Sequence, residues 1–270
     1  MIRRVFKNLG LYDGDAPPET RELEQDGSTV IRGALTPVEV AELTAEIDAV
    51  FDASGPERGR TDEYRYEMSN RNAACQRMVA HRRILAVIEP LLGDDCHVIA
   101  DKAWRNVAEF EGGPWHCDAG PHVPRPEGVP WDDRIPYPVF AIGAHILLRD
   151  LDLADGPTMV VPGSHRSGRL APFEQMTDPD LTYDGRPPVA LVGSAGDVAL
   201  FVSDVWHRGL PADGGRGRYF LQVHYGRRDI AQRIRTPKVS NQLSPEAVER
   251  ATTERERTIV GLHDPFFYDA

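Results

Sequence analysis

Apolar residues recur at helical spacing in two early stretches of the chain and gather into short alternating or continuous blocks after them. Thr36-Pro37-Val38-Glu39 offers an N-cap threonine, a proline at the first helical position and a glutamate placed to close a capping box. Val40, Leu43, Ile47, Val50 and Phe51 follow on one face, so the spacing predicts a helix packed against something large. A second helix is predicted over Gln76 to Leu92, with Ile84, Ile88, Leu91 and Leu92 on its apolar side and Gly93 as its stop.

Strand patterns then take over. A short strand is expected after Asp26-Gly27, and others over His97–Ala100, Trp104–Phe110, Phe140–Leu148, Met159–Val161, Asp197–Val202 and Tyr219–Tyr225. Gly112-Gly113-Pro114 turns the chain into a further strand around His116. Gly55–Arg71, Pro121–Pro138 and residues 166–188 read as loops, the first as a solvated surface segment and the second as a wall for a substrate pocket. Ser244-Pro245-Glu246 caps a short helix through about residue 255, and His263–Ala270 reads as a tail.

Helices followed by many short strands with glycine and proline turns predict a mainly β fold with flanking helices, a β-sandwich or jelly roll. Without a repeat or linker, one domain is expected over residues 1–270: an arm over 1–25, a core over about 26–226, and a C-terminal helical segment and tail over 227–270.

The 41% hydrophobic content agrees with a folded globule, while the net charge of -11 argues against nucleic acid or an anionic membrane as partner. A small-molecule partner fits better, with self-association into a homodimer an open alternative. No apolar run serves as a signal or spans a membrane, so a cytoplasmic location is expected. Cys75, Cys96 and Cys117 are odd in number and form no CxxC pair, which points to reduced thiols.

The chemistry concentrates in Pro114-Trp115-His116-Cys117-Asp118. In an extended strand His116 and Asp118 share a face while Cys117 points away. His207, in Asp204-Val205-Trp206-His207, is the best candidate for a third ligand. Two imidazoles and one carboxylate leave open positions on the ion, as in non-haem Fe(II) oxygenases. His122, His145 and His224 read as satisfied interior histidines or pocket walls, and His165 belongs to the Pro162-Gly163-Ser164-His165 turn.

Three motifs carry a resemblance: Trp115-His116-Cys117-Asp118, Gly156-Pro157-Thr158-Met159-Val160-Val161-Pro162-Gly163-Ser164-His165-Arg166, and Gly196-Asp197 through Trp206-His207 to Arg218. In this order, with the two histidines 91 positions apart and an arginine eleven past the second, they resemble the phytanoyl-CoA dioxygenase family over about residues 26–226. The resemblance implies a double-stranded β-helix, the cupin-like variant of the jelly roll. It also implies an Fe(II)- and 2-oxoglutarate-dependent oxygenase that uses O2, with His116, Asp118 and His207 as catalytic iron ligands and Arg218 holding the distal carboxylate of 2-oxoglutarate.

A bidentate guanidinium suits that carboxylate, and Arg216 competes for the role by strand parity. Cys117 and Gly209 stand where the family commonly has glutamine and serine, so the resemblance supplies no cosubstrate contact there. Asp118 sets the chain apart from related halogenases, which carry a small residue in its place. The implied reaction is oxidation, foremost hydroxylation, of an unactivated C–H bond of a small molecule, with release of succinate and carbon dioxide and a place in secondary metabolism as one context. A metal-dependent hydrolase or isomerase and a non-catalytic ligand-binding protein are the alternatives.

Overall fold

The computed structural model describes residues 16–54, 62–118, 120–235 and 241–262. The chain runs through α1 (Pro18–Asp26), β1 (Ser28–Ile31), α2 (Pro37–Ser54), β2 (Asp62–Tyr66), α3 (Met68–Arg71), α4 (Ala73–Met78), α5 (Arg82–Leu92) and β3 (His97–Asn106). It continues through β4 (Ala141–Leu147), β5 (Thr158–Val160), β6 (Val189–Ala190), β7 (Val198–Val202), β8 (His207–Gly209), β9 (Tyr219–Gly226), α6 (Pro245–Arg250) and α7 (Glu254–Ile259). The strands form a six-stranded sheet in the order β1-β7-β4-β9-β3-β2 and a three-stranded sheet in the order β6-β5-β8. Every pairing is antiparallel. This mainly β architecture with flanking helices is the double-stranded β-helix.

The larger sheet is buried on both faces, which is why β4 and β9 have no exposed position. On one face Leu221, Val223, Ala144, Ile146, Val198 and Leu200 join Leu43, Ile47 and Phe51 of α2 and Ile84, Val87 and Ile88 of α5 in the main core. Each of these leucine, isoleucine, valine and phenylalanine side chains contributes about 1.5–3 kcal/mol on burial. Strand alternation sends the other residues of the same strands toward the smaller sheet, which closes over them.

The α2 start is built as its sequence requires: Thr36 N–H and Oγ1 both donate to Glu39 Oε2 at 2.7 and 2.8 Å, and Glu39 N–H returns a bond to Thr36 Oγ1 at 3.3 Å. The expected second helix is two. Asn72 caps α4 through bonds from Ala74 and Cys75 N–H, and His81 precedes α5 in extended conformation, before Gly93 ends it.

Other segments also depart from expectation. The end of the arm folds as α1, because Leu23 is buried and Thr20 Oγ1 donates to Val87 O at 2.9 Å; residues 1–15 lie outside the described residues. Within the segment expected as a loop, Asp62–Tyr66 pairs with β3 residue by residue as an edge strand and α3 follows. Residues 55–61 and the expected tail 263–270 lie outside the described residues. β3 is one strand rather than two, and a second C-terminal helix, α7, has its own Thr253–Glu256 capping box. No described helix is long and apolar enough to cross a membrane.

Candidate metal centre

The strand expected around His116 is a single bridge to the first residue of β8. His116 N–H donates to His207 O and His207 N–H donates to His116 O, both at 2.9 Å. Pairing rather than chain proximity therefore sets two distant imidazoles side by side, with ring centroids 4.3 Å apart. Asp118 N–H donates to Ser203 O at 3.0 Å, which fixes the carboxylate on the same side. Cys117 points the other way, into a small core with Trp115, Val161 and Trp206.

One donor atom from each of His116, Asp118 and His207 lies within 4.8 Å of the others. His116 Nδ1–H donates to Pro114 O and His207 Nδ1–H to Val205 O, each at 2.9 Å. Both rings thus keep Nε2 for an ion, and the backbone holds their tautomers. On the far side of the carboxylate, His224 Nε2 lies 2.9 Å from Asp118 Oδ2, while His207 Nε2 lies 3.4 Å from Oδ1.

Charge follows from this packing. Burial, with the facing His207, pushes His116 down to about 4, so its ring is neutral at neutral pH. Burial raises Asp118, but His207 and His224 outweigh it and hold the carboxyl well below the usual range. Burial lowers His207, yet the adjacent Asp118 prevails and raises it. An ionised carboxylate between imidazoles is the donor chemistry that a divalent cation needs.

The site opens into a cavity of about 320 Å3 between the two sheets. Arg218 enters it as expected. The side chain is 7% exposed, with Nε donating to Asn106 Oδ1 and Nη1 to Thr158 Oγ1, both at 3.2 Å. Arg216 stays in its turn, donating through Nη2 to Asp150 O at 3.3 Å. Gly209 pairs with Thr158 in register. A Cβ on Gly209 would stand 2.9 Å from Arg218 Nη2, so the missing side chain makes room for the guanidinium while Thr158 supplies the nearby hydroxyl. Asn106 Nδ2 is buried without a hydrogen-bond partner. That orphaned donor beside a guanidinium calls for an oxygen acceptor.

The other histidines divide. His145 lines the cavity, stacked 4.1 Å from Phe220, with Nδ1 3.3 Å from Thr158 Oγ1. Burial and the Arg218 charge hold it well below its ordinary value. His122 is paired with Asp204, and His165 packs inside with Nε2 3.0 Å from Glu24 O. The 121–138 loop does not line this cavity. Its residues Pro126, Val129 and Trp131 instead line a larger one of about 620 Å3 behind Trp206, away from the three donors. The segment expected as a solvated loop does reach the site, through Tyr64 and Tyr66.

Sequence reasoning also passed over Asn106, Thr158 and Lys102. Their only signal was strand parity, which needed the register of β3 and β5. All three thiols are free among the described residues, and burial raises Cys75 to about 12 and Cys96 to about 11.

The phytanoyl-CoA dioxygenase family model matches residues 23–219, and the chain belongs to that family. Solved structures share the fold. EctD from S. alaskensis, solved with 2-oxoglutarate and 5-hydroxyectoine, is 21% identical, with TM-score 0.61 over 80% of this chain and 78% of that one. The non-haem alpha-ketoglutarate-dependent carbocyclase SnoK from nogalamycin biosynthesis is 21% identical, with TM-score 0.59 over 81% and 86%. The epimerase SnoN, solved with Fe3+, alpha-ketoglutarate and nogalamycin RO, is 21% identical, with TM-score 0.57 over 77% and 82%.

Proposed function

We propose that this member of the family is a non-haem Fe(II)- and 2-oxoglutarate-dependent oxygenase acting on a small molecule. The observation that carries the reading is the donor set: two imidazoles with Nδ1 engaged and Nε2 presented, beside one ionised carboxylate, all within 4.8 Å. His116, Asp118 and His207 would hold the iron. Arg218, with Thr158 Oγ1 and the orphaned Asn106 Nδ2 beside it, would take the distal carboxylate of 2-oxoglutarate. A metal-dependent hydrolase would have no use for that second cradle.

When bound, iron and the keto acid supply, with O2, an oxidant able to remove hydrogen from an unactivated C–H bond, releasing succinate and carbon dioxide. This chain's residues do the rest. His224 steadies Asp118 from behind, and Trp104, Phe201 and Phe220 give the cavity aromatic walls. What happens at the substrate carbon depends on how that carbon is held. Hydroxylation is the reading preferred here, although an epimerase and a carbocyclase have the same fold.

The test is anaerobic. Fe(II) with 2-oxoglutarate should give a weak visible charge-transfer band in the wild type and none in His116→Ala. A wild type without the band would sink the proposal. Succinate release across a substrate panel, with analysis of the product, then separates hydroxylation from epimerisation or ring closure.

A further inference from the structure

We propose that Gln222 selects the substrate, and that the substrate is a small, largely apolar molecule whose carbonyl oxygen accepts a hydrogen bond from the Gln222 amide. This inference rests on the oxygenase reading and names the substrate class for the same pocket.

The register sets Gln222 in the wall of the cavity. Phe220, Gln222 and His224 alternate with the core residues Leu221, Val223 and Tyr225, so they share the other face of β9. Across the sheet Gln222 stands opposite Lys102 on one side and His145 on the other, and Trp104 and Phe220 form the next row. Gln222 is 7% exposed, so its amide must find partners inside the protein or in what the cavity holds.

Two contacts decide how that amide is turned. Trp104 Nε1–H donates to Gln222 Oε1 at 2.7 Å. An indole nitrogen only donates, so the carbonyl end is fixed on Trp104 and the NH2 end points away from it. There Gln222 Nε2 meets His224 Nε2 at 3.4 Å. His224 Nε2 lies closer, at 2.9 Å, to the ionised carboxylate of Asp118. A ring nitrogen carries one proton, and this one goes to the carboxylate whether the imidazole as a whole is neutral or charged. No lone pair is then left on His224 Nε2 to accept from Gln222, and the Gln222 NH2 group has no acceptor among the described residues.

A buried donor left unmet costs about 1–3 kcal/mol, and an amide clamped at its other end cannot turn to escape that cost. A carbonyl oxygen answers it, because that oxygen only accepts where this end of Gln222 only donates. The cosubstrate is held elsewhere. Four residues of extended chain, roughly 13 Å, separate Gln222 from Arg218, where the distal carboxylate of 2-oxoglutarate would sit. The walls supply the rest of the description. Trp104, Phe201 and Phe220 are aromatic, which suits a ring-bearing body, and a cavity of about 320 Å3 that also takes the cosubstrate keeps that body small.

The experiment uses full-length protein loaded anaerobically with Fe(II) and 2-oxoglutarate. It is titrated with 1-tetralone, 2-tetralone and tetralin, which share one bicyclic body with and without a carbonyl, and binding is read from the charge-transfer band and from tryptophan fluorescence. At least one ketone should bind at least about tenfold more tightly than tetralin. In Gln222→Met that preference should fall to within about twofold of unity, with the 2-oxoglutarate Kd changed less than about threefold. Trp104→Phe keeps the aromatic wall but releases the amide, and should cut the preference at least about threefold.

Equal binding of ketones and tetralin, no binding of either ketone, or a preference that survives in Gln222→Met would overturn the assignment. So would loss of 2-oxoglutarate affinity in Gln222→Met with the ketone preference unchanged, since Gln222 would then serve the cosubstrate. An unchanged preference in Trp104→Phe also overturns it, and decides the matter should Gln222→Met fail to fold. A wild type that gives no band would count against the oxygenase reading instead, while fluorescence would still decide the ketone preference.

Discussion

On one side of β9, Tyr219, Leu221, Val223 and Tyr225 pack among the helices, and on the other Phe220, Gln222 and His224, with Arg218 just before them, face the metal centre. Burial is nearly equal on the two sides; the terms of burial differ. The helix side offers volume. Its polar atoms lie at side-chain ends, as where Tyr219 Oη donates to Asp48 at 2.6 Å and Tyr225 Oη to Val79 O at 2.9 Å. The pocket side offers partners: Trp104 Nε1 donates to Gln222 Oε1 at 2.7 Å, and His224 meets Asp118. A volume can be refilled by another apolar side chain, whereas a named partner cannot be exchanged. The two faces should therefore fail differently, one by unfolding and the other by losing ligands from an intact fold.

The sharpest break should come from His207→Ala, which removes a donor atom outright. It should cost more than about a hundredfold in Fe(II) affinity, with unchanged far-UV circular dichroism. Leu221→Ala, on the opposite side of the same sheet, should do the reverse. It should lower unfolding free energy by about 3 kcal/mol in urea melts and leave Fe(II) affinity within about twofold. Arg218→Met should sit between these, weakening 2-oxoglutarate binding by about 2 kcal/mol, roughly thirtyfold, while Fe(II) still binds.

A smaller effect is expected at Gly209. Its substitution by serine would crowd Arg218 Nη2, because a Cβ at this position stands only 2.9 Å from that nitrogen, and should weaken 2-oxoglutarate about fivefold in the same titration. The smallest effect separates histidines by duty. Burial lowers His165 to about 4, so the unfolded chain takes up a proton near the ordinary value of about 6.5 that the folded chain refuses. The stability held this way is complete above about pH 6.5 and is lost as pH falls toward 4. Melting temperatures between pH 7 and 5 should fall less steeply in His165→Asn, and an unchanged slope would remove His165 from the account.

Much of this contrast was legible in the chain. The capping box at Thr36, the apolar face of α2, and the run from Val198 to Val202 are local patterns with local causes. His116, Asp118, His207 and Arg218 could be singled out from their motifs, and the structure brings all four to one cavity. What stayed hidden depends on register. Nothing in Asp62-Glu63-Tyr64-Arg65-Tyr66 announces an edge strand until β3 lies beside it. Asn106, Lys102 and His224 became site residues only when the pairing of β3 and β9 was known. The loop at 121–138 misled for a different reason: closeness to Asp118 in sequence took it to the far side of Trp206, where it lines another cavity.

The bridge between His116 and His207 carries one more consequence. Because two backbone hydrogen bonds hold the pair, a shift of one residue would turn the His116 imidazole to the opposite face and bring Cys117 toward the donors. The approach from Val107 to Trp115 has no regular secondary structure and looks permissive, yet it acts as a ruler. It should accept many exchanges of one amino acid for another and very few insertions or deletions, so in this segment length matters more than composition.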